Sequence, residues 1–312
     1  MAGGQERVLR RRIRSVQSTK KITKAMELIA ASQIVRSLNR MTANRAYRAG
    51  MARLVVEAAK GDPAAAAKLL GTPEERHNVV VLAIVADRGL SGPYNTSVLR
   101  ATERLLTELT SEGIGIRLLT VGKKAQSYFR FRGQEVERSF LGVSERPTFS
   151  EAREVAAAVA TPFVAGEVDQ VLLVSTRYLS AGSQVAQVRQ LLPLPDPTAA
   201  ETAGEAGGVG GDRADTAPEG GGGYTEFEPD VETLLAELGP KAVESEIFTA
   251  LLEGAASFFT AQQRAMAAAS ENADELIRTL SRIMNRARQD AITTEIMEIV
   301  GGAEALRQSK GA

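Results

Sequence analysis

The stretch RIRSVQSTKKITKAMELIAASQIVRSLNRM, residues 12–41, contains neither proline nor glycine and carries many cations. Its apolar residues recur at steps of three and four, which is the period of an amphipathic helix. These residues are Ile13, Val16, Ile22, Met26, Ile29, Ile34, Leu38 and Met41. The pattern predicts one helix over residues 5–49, about 65 Å long. Gly50 and the GDP at 61–63 are expected to loosen or end it.

A second long helix is predicted over residues 230–300, broken only by the Gly-Pro at 239–240 and by Gly254. Its apolar positions alternate steps of four and three, a heptad repeat that is typical of a coiled coil. The predicted seam comprises Phe248, Leu252, Ala255, Phe259, Gln262, Met266, Ala269, Ala273, Leu276, Leu280, Ile283 and Ala287. From Ala255 to Val300 there is no glycine or proline, which gives a rod of about 69 Å. This rod matches the first helix in length, so we expect the two to pair antiparallel. Small residues such as Ala30 and Ala31 would let their axes approach closely.

The segment between them, 78–193, alternates strands with helices, which indicates an α/β layer with a mainly parallel sheet. Strands are predicted at 78–86, 115–121, 168–176 and 183–194, with a fifth possible at EVERSFL. Helices are predicted at 96–112, within GKKAQSYFRFRG, and at 149–167. Ser150 is the predicted N-cap of the last helix, with Glu154 as its partner in the capping pattern.

Charge is distributed unevenly along a chain whose net charge is zero. Residues 1–48 carry a net charge of +10, whereas residues 196–232 carry −9. Segment 195–224 is rich in glycine, alanine and acidic residues and has too few large apolar residues to form a core, so it is predicted to be a flexible linker. The resulting domain prediction is an N-terminal helix (1–60), an α/β domain (75–194), the insertion (195–224) and a C-terminal helix (225–312).

Composition removes several classes of protein. The absence of cysteine excludes disulfides, thiolate metal sites and cysteine nucleophiles. No apolar run reaches the roughly 18 residues that suggest a membrane span. The cationic start, MAGGQERVLRRRI, lacks the apolar stretch of a secretory signal, and the helical pattern begins almost at once. We therefore expect a cytoplasmic protein, and the alanine-rich usage suits a bacterial one.

An enzymatic function finds little support in the motifs. DRGLSG at 87–92 follows a strand, where a phosphate or nucleophile loop could lie, but it matches no such motif. VGKKAQS at 121–127 lacks the second glycine of a P-loop. His77, the only histidine, is expected at the surface or a sheet edge, so a metal site or a Ser-His-Asp triad is poorly supported. We predict no catalytic residue, no metal and no cofactor.

Cations cluster on both predicted long helices. Arg278, Arg282 and Arg286 lie at i, i+4 and i+8, and like charges at this spacing destabilise a helix by about 0.2–0.5 kcal/mol per pair. Only Asp274 lies four residues before one of them, Arg278. Arg288 and Gln289 extend this strip, and Arg10, Arg14, Lys20, Lys21 and Lys24 add to it from the first helix. The cations either form an ordinary solvated face or meet an external acidic partner, which could be nucleic acid or protein carboxylates. Nucleic acid is disfavoured because aromatic content is 4% and no base-stacking platform is evident.

RIRSVQSTKKITKAMELIAASQIVR near the start and SRIMNRARQDAITTEIMEIVGGAEAL near the end resemble the two signature segments of the gamma subunit of F-type ATP synthase. DRGLSGPYN resembles a turn of that family, and QLLPL and FEPD lie where the family has similar strings. The resemblance covers nearly the whole chain outside 195–224. It implies an antiparallel coiled coil of the terminal helices with a Rossmann-like α/β domain at its base.

The resemblance also implies a function and its partners. The coiled coil would be the central rotor shaft within a ring of three alpha and three beta subunits, and the base would join the epsilon subunit and the membrane c-ring. Proton flow would turn the shaft and drive ATP synthesis at the beta subunits, while the chain itself would catalyse nothing. This places it at the cytoplasmic face of the bacterial membrane, as a peripheral protein that contacts the membrane only through its partners.

Residue roles follow from the same resemblance. Arg288 and Gln289 match a pair that binds acidic residues of a beta-subunit catch loop, and Thr293 matches a polar partner nearby. Met26 matches a position near the beta subunit that affects coupling, and Glu228 resembles a residue of the foot close to the c-ring.

The sequence also departs from that family. An acid, Asp290, follows the Arg-Gln pair and would weaken the catch or tune its release. Ser91 and Pro93 alter the turn. The long 195–224 insertion is either a tolerated solvated segment or a regulatory loop that brakes hydrolysis. The thiol switch of chloroplast members is absent.

Overall fold

The computed structural model describes residues 2–61, 73, 76–194 and 230–310. Helices and strands follow in the order α1 (Ala2–Gly61), β1 (Asn78–Ile84), α2 (Tyr94–Ser111), β2 (Gly115–Val121), α3 (Lys123–Phe131), β3 (Arg138–Phe140), α4 (Phe149–Val164), β4 (Gln170–Tyr178), β5 (Gln184–Leu192) and α5 (Val231–Lys310). The chain divides into two compact units, to both of which α1 and α5 contribute. We call them the terminal unit (residues 1–29 with 263–312) and the central unit (30–262).

The central unit contains a five-stranded sheet in the order β3-β2-β1-β4-β5. β1 pairs in parallel with β2 and with β4, β2 pairs in parallel with β3, and β5 is antiparallel to β4. The apolar run at 79–86 is fully buried, as expected of a central parallel strand that is covered on both faces. The prediction of an α/β layer with a mainly parallel sheet is therefore confirmed.

Two apolar clusters cover the faces of this sheet. On one face, α4, the end of α1 and the start of α5 supply residues such as Val55, Val159 and Leu251. On the other face, α2 and α3 supply residues such as Leu105, Leu109 and Phe129. The apolar stripes of these helices thus explain why each packs where it does.

The long helices pair antiparallel within each unit taken by itself. In the central unit, Asn44 of α1 donates to Thr249 Oγ1 of α5 at 2.9 Å, and Arg48 Nε donates to Glu246 Oε1 at 2.7 Å. In the terminal unit, Lys20 and Thr23 contact Asp274 and Ser270 respectively. In both units rising numbers on α1 meet falling numbers on α5, so the predicted antiparallel arrangement is confirmed.

Some predicted helix limits are wrong. Gly50 does not end α1, because Met51, Val55 and Ala58 are buried beyond it. The helix continues to Gly61, the first residue of the GDP that was the other predicted limit. Pro240 does not break α5, because burial of Leu238 and Ala242 around it outweighs its poor helix propensity.

The predicted N-cap of α4 is also wrong. Thr148, not Ser150, accepts from the backbone N–H of Glu151, and the Glu151 carboxylate accepts from the N–H of Thr148. This reciprocal pair is a capping box of the form Thr-x-x-Glu. Glu154 instead forms an ion pair with Arg138 at 2.6 Å. The Thr-x-x-Glu signal of this capping box begins in the sequence two residues before Ser150.

The predicted insertion at 195–224 and Glu228 lie outside the described residues. Among the described residues, no helix is long and apolar enough to cross a membrane. In the same ranges, no group of three or more His, Asp or Glu residues could hold a metal ion.

Candidate functional site

The candidate contact surface lies on the terminal unit, where α1 and α5 pack side by side. Thr23 Oγ1 and Ser270 Oγ are buried and lie 2.7 Å apart. One hydroxyl donates to the other, and the second donates to a backbone carbonyl of its own helix, that of Lys20 or of Met266. Lys20 Nζ donates to Asp274 Oδ1 at 2.5 Å. A hydroxyl pair and an ion pair thus fix the register of the two helices, because any slip would separate both.

The seam that α5 presents to α1 differs from the predicted seam by a small rotation. In the terminal unit the buried residues are Met266, Ser270, Ala273 and Leu280, with Ile277 and Met284 half-buried. These positions keep the heptad spacing but replace Ala269, Leu276 and Ile283 of the prediction by the residue that follows each. Polar Ser270 enters the seam because its hydroxyl has partners there. Leu276 and Ile283 are consequently 39% and 49% exposed.

In the central unit the predicted seam is correct at four positions. Leu252, Ala255, Phe259 and Gln262 are all buried there.

Asp274, which lies four residues before Arg278, pairs with Lys20 of the other helix. Arg278, Arg286 and Arg288 then form no ion pair within the part of the chain that the structure describes, and all three are exposed. The Nη2 atom of Arg282 donates only to the Thr279 hydroxyl, at 3.4 Å. The guanidinium strip on α5 therefore remains available to an external acidic partner.

Arg288, Gln289 and Thr293 lie within two turns of α5 and are all exposed. Asp290 beside them makes no ion pair with Arg288 or with any other described residue, so both charges face solvent. The following residues 292–300 are exposed throughout, including Ile296 and Met297. This end of α5 offers polar donors and apolar side chains that nothing in the described chain covers.

Met26 lies elsewhere on the terminal unit. It is half-buried on α1, less than one turn from Thr23, which faces Ser270. Arg288 lies five turns beyond Ser270 along α5, which is about 27 Å. The structure therefore does not bring Met26 together with Arg288, Gln289 and Thr293, and the terminal unit has two separate candidate contact points.

The DRGLSG turn, which follows β1, has a structural role. Asp87 accepts hydrogen bonds from the Ser144 hydroxyl at 2.6 Å and from the backbone N–H groups of Lys123 and Gly142. Burial alone would raise the pKa of Asp87, but these donors hold its pKa below the ordinary value. These hydrogen bonds occupy the carboxylate of Asp87, which thereby links the chain segments that follow β1, β2 and β3. His77, near the opposite end of β1, is exposed, as predicted.

One charged cluster in the central unit has no signal in the sequence. Glu246 of α5 binds Arg48 of α1 and Arg189 of β5, each at 2.7 Å. Burial would raise the pKa of Glu246, but the two arginines lower it below the usual range. The partners lie far from Glu246 in sequence, so no local pattern could predict this connection between a helix, a strand and a second helix.

A sequence profile described as ATP synthase matches residues 5–306 of the chain. The ATP synthase gamma chain of Parafrankia sp. is 44% identical, and the alignment covers 97% of this chain and 98% of that protein. The gamma chain of Acidothermus cellulolyticus is 43% identical over the same shares.

Solved structures share the fold. A Euglena gracilis mitochondrial ATP synthase structure (OSCP/F1/c-ring) contains a chain that matches with a TM-score of 0.67 at 18% identity, covering 99% of this chain and 97% of that one. A Tetrahymena thermophila central stalk/c-ring structure gives a TM-score of 0.59 at 24% identity, covering 80% and 99%.

The antiparallel helix pair and the Rossmann-like sheet are the fold that this chain shares with those structures. The chain belongs to the bacterial ATP synthase gamma-chain family. It is accordingly a subunit of the ATP synthase complex, with the role of its central stalk.

Proposed function

We propose that this chain is the rotor shaft that couples proton-driven turning of the c-ring to ATP synthesis or hydrolysis at the beta subunits. Full-length membership of the gamma-chain family is the observation that carries the proposal. The exposed guanidinium strip of α5 supports it, because a shaft turning inside a protein sleeve needs donors that can bind and release carboxylates. The chain catalyses nothing and holds no cofactor; the chemistry belongs to the beta subunits.

Two contact points on the terminal unit carry the coupling in this proposal. Arg288 and Gln289 donate to acidic residues of a beta-subunit catch loop, with Thr293 as a nearby polar partner. Charge-assisted hydrogen bonds from a guanidinium group to carboxylates are the strong kind, which suits a contact that must transmit torque. Met26 approaches the beta subunit at a second point, which lies about 30 Å from Arg288 along the helix pair. Glu228, outside the described residues, belongs to the foot near the c-ring.

The partners proposed are the alpha3beta3 ring, the epsilon subunit and the c-ring, and nucleic acid is not among them. The terminal helices would enter the ring, and the α/β domain (75–194) would form the base, with the insertion (195–224) between it and the C-terminal helix. The chain would then lie at the cytoplasmic face of the bacterial membrane, which it reaches only through the c-ring and its other partners.

Arg288→Ala in the assembled enzyme tests the proposed catch. We expect coupled ATP synthesis to fall several-fold while assembly of the complex and thermal stability of the free chain stay unchanged, since Arg288 is exposed. Arg286→Ala is the comparison within the guanidinium strip, because it removes another exposed charge of the strip but leaves the Arg288-Gln289 pair in place. ATP synthesis and ATP hydrolysis should be measured in reconstituted vesicles for both variants.

If Arg288→Ala lowered the stability of the chain together with ATP synthesis, the proposed catch role of Arg288 would be refuted, because the residue would then be structural. Equal losses of synthesis in Arg288→Ala and Arg286→Ala would show a diffuse charge effect and no specific catch. In the same assay, Asp290→Ala would strengthen the catch if the acid competes for Arg288, and this would appear as slower turnover.

A further inference from the structure

A third apolar cluster joins the segment after β1 to both long helices within the central unit. Its members are Ala86, Tyr94, Phe258 and Phe259, with Ile34 and Ala261 packed against them. Tyr94 belongs to the DRGLSGPYN segment and is only 6% exposed. Its ring meets that of Phe258 of α5 edge-on, with the ring centroids 5.7 Å apart, which is a favourable aromatic geometry. Tyr94 is therefore the point at which this segment packs on α5.

Gly254 allows Tyr94 to approach α5 closely. This glycine is buried inside the helix, where glycine is a less favourable residue than alanine. A Cβ at this position would lie 3.2 Å from the Tyr94 hydroxyl oxygen, which is closer than most such contacts. An alanine here would therefore push the Tyr94 ring away from the helix. The hydroxyl makes no hydrogen bond to any residue that the structure describes, so only its size matters at this contact.

The segment that carries Tyr94 is held to the sheet by the next residue, Asn95. The Asn95 side-chain oxygen accepts from the backbone N–H of Ala86 at 3.0 Å, and its amide donates to the Arg88 carbonyl at 3.0 Å. Asn95 is buried, so these hydrogen bonds are shielded from water. Tyr94 is thereby fixed to the end of β1, the strand at the centre of the sheet.

Tyr94 contacts α5 at a distance from the main packing of that helix on the sheet. Among the described residues, the apolar cluster that contains Val55 and Val159 ends on α5 at Leu251. Phe258 lies about two turns further along the helix, which is about 10 Å. A helix that is supported at one place can pivot there, whereas two supports separated along its axis fix its direction.

We propose that Tyr94, packed against Gly254, is a positioning residue that fixes the direction of α5 relative to the sheet. Turning of the α/β domain is then passed in full to the helix pair. The role in transmission rests on the shaft function proposed above, because only a chain that transmits rotation needs this second support for its activity. The support itself is a property of the free chain and is measured without any partner.

The position of the helix pair is measured first, in the free full chain. The chain has no cysteine, so spin labels at Ser32→Cys on α1 and Thr107→Cys on α2, both exposed, give one distance within the central unit. We expect a narrow distance distribution in the labelled parent chain and in Tyr94→Phe, which keeps the ring. Gly254→Ala should broaden or shift the distribution, because its Cβ displaces the ring. Gly254→Ala with Tyr94→Phe should restore it, because the hydroxyl that meets the Cβ is gone.

The consequence for transmission is measured in the assembled enzyme in vesicles. The number of protons pumped per ATP hydrolysed should fall in Gly254→Ala and recover when Tyr94→Phe is added. Tyr94→Phe alone is the matched control and should pump as the wild type does. A merely structural defect would lower the yield of the complex but leave this ratio unchanged in the complexes that form.

Two results would overturn the proposal. If Gly254→Ala leaves the distance distribution unchanged, Tyr94 does not fix the helix pair. If the distribution changes but the pumping ratio does not, the support exists but plays no part in transmission. Failure of the wild-type chain to assemble would instead contradict the shaft function. A distribution that is disturbed by Gly254→Ala and restored by Tyr94→Phe would then still support Tyr94 as the residue that positions the helix pair.

Discussion

The Glu246 carboxylate joins α1, β5 and α5 in the central unit, so its removal tests how that unit is held together. Glu246→Gln removes the charge while keeping the shape. Its side chain is 25% exposed, and those of Arg48 and Arg189 are 42% and 24% exposed. Breaking a fully buried ion pair costs about 3–5 kcal/mol. The partial exposure of both arginines reduces this, so we expect a loss of about 2–3 kcal/mol in the free energy of unfolding.

Urea unfolding of the full chain, followed by circular dichroism, measures this loss. A change of about 2–3 kcal/mol lowers the urea midpoint by about 1 M. Glu244→Gln is the matched control on the same helix, because its contact to Arg153 is longer, at 3.6 Å, and the arginine is 63% exposed. That control should lose less than about 1 kcal/mol. Equal midpoints for the two variants would refute the reasoning.

The pH dependence has a definite sign. The pKa of Glu246 is lower in the folded chain than in the unfolded chain, so its stabilisation is fully present above the unfolded value of about 4.3. It is lost as the pH falls from there through the folded pKa. The difference in stability between the wild type and Glu246→Gln should therefore be constant near neutrality and shrink in acid. A difference that persisted below both pKa values would contradict this linkage.

Three further variants test local features by the same urea assay. Gly122→Ala should cost about 2 kcal/mol or more, since Gly122 has φ +94° and a Cβ would lie 2.3 Å from the Val85 carbonyl oxygen. Asp87→Ala should cost about 2 kcal/mol, because it leaves the donors of Ser144, Lys123 and Gly142 without their acceptor. Ser270→Ala should cost only about 1 kcal/mol, because the Thr23 hydroxyl still donates to the Lys20 carbonyl at 3.0 Å. An unchanged urea midpoint in Gly122→Ala would contradict the assigned role of Gly122. A larger loss of unfolding free energy in Ser270→Ala than in Asp87→Ala would contradict the roles assigned to those two side chains.

Much of the fold was predictable because its signals are local. The apolar run before Asp87 predicted β1, and GIRLLTV predicted β2 with both ends correct. The errors arose where tertiary contacts outweighed local preference. Pro240 stays inside α5 because its neighbours are buried, and Ser270 enters the helix seam because a hydroxyl on α1 receives it.

The charged contacts were much less predictable than the fold. Asp274 looked like the partner of Arg278, one turn away, yet it pairs with Lys20, which is 254 positions distant. The Glu246 cluster likewise joins residues 57 and 198 positions apart. Side chains that meet only after folding leave no periodic trace in the sequence. The roles of Arg288, Gln289, Thr293 and Met26 came from family resemblance and stay predictions.

The most direct test of the central claim is reconstitution of this chain with purified alpha and beta subunits. The account predicts a complex of one gamma to three alpha and three beta subunits, with ATPase activity in the mixture and none in this chain alone. Failure to assemble, together with tight and salt-sensitive binding of the chain to DNA, would contradict it and give the basic face of α1 a different partner.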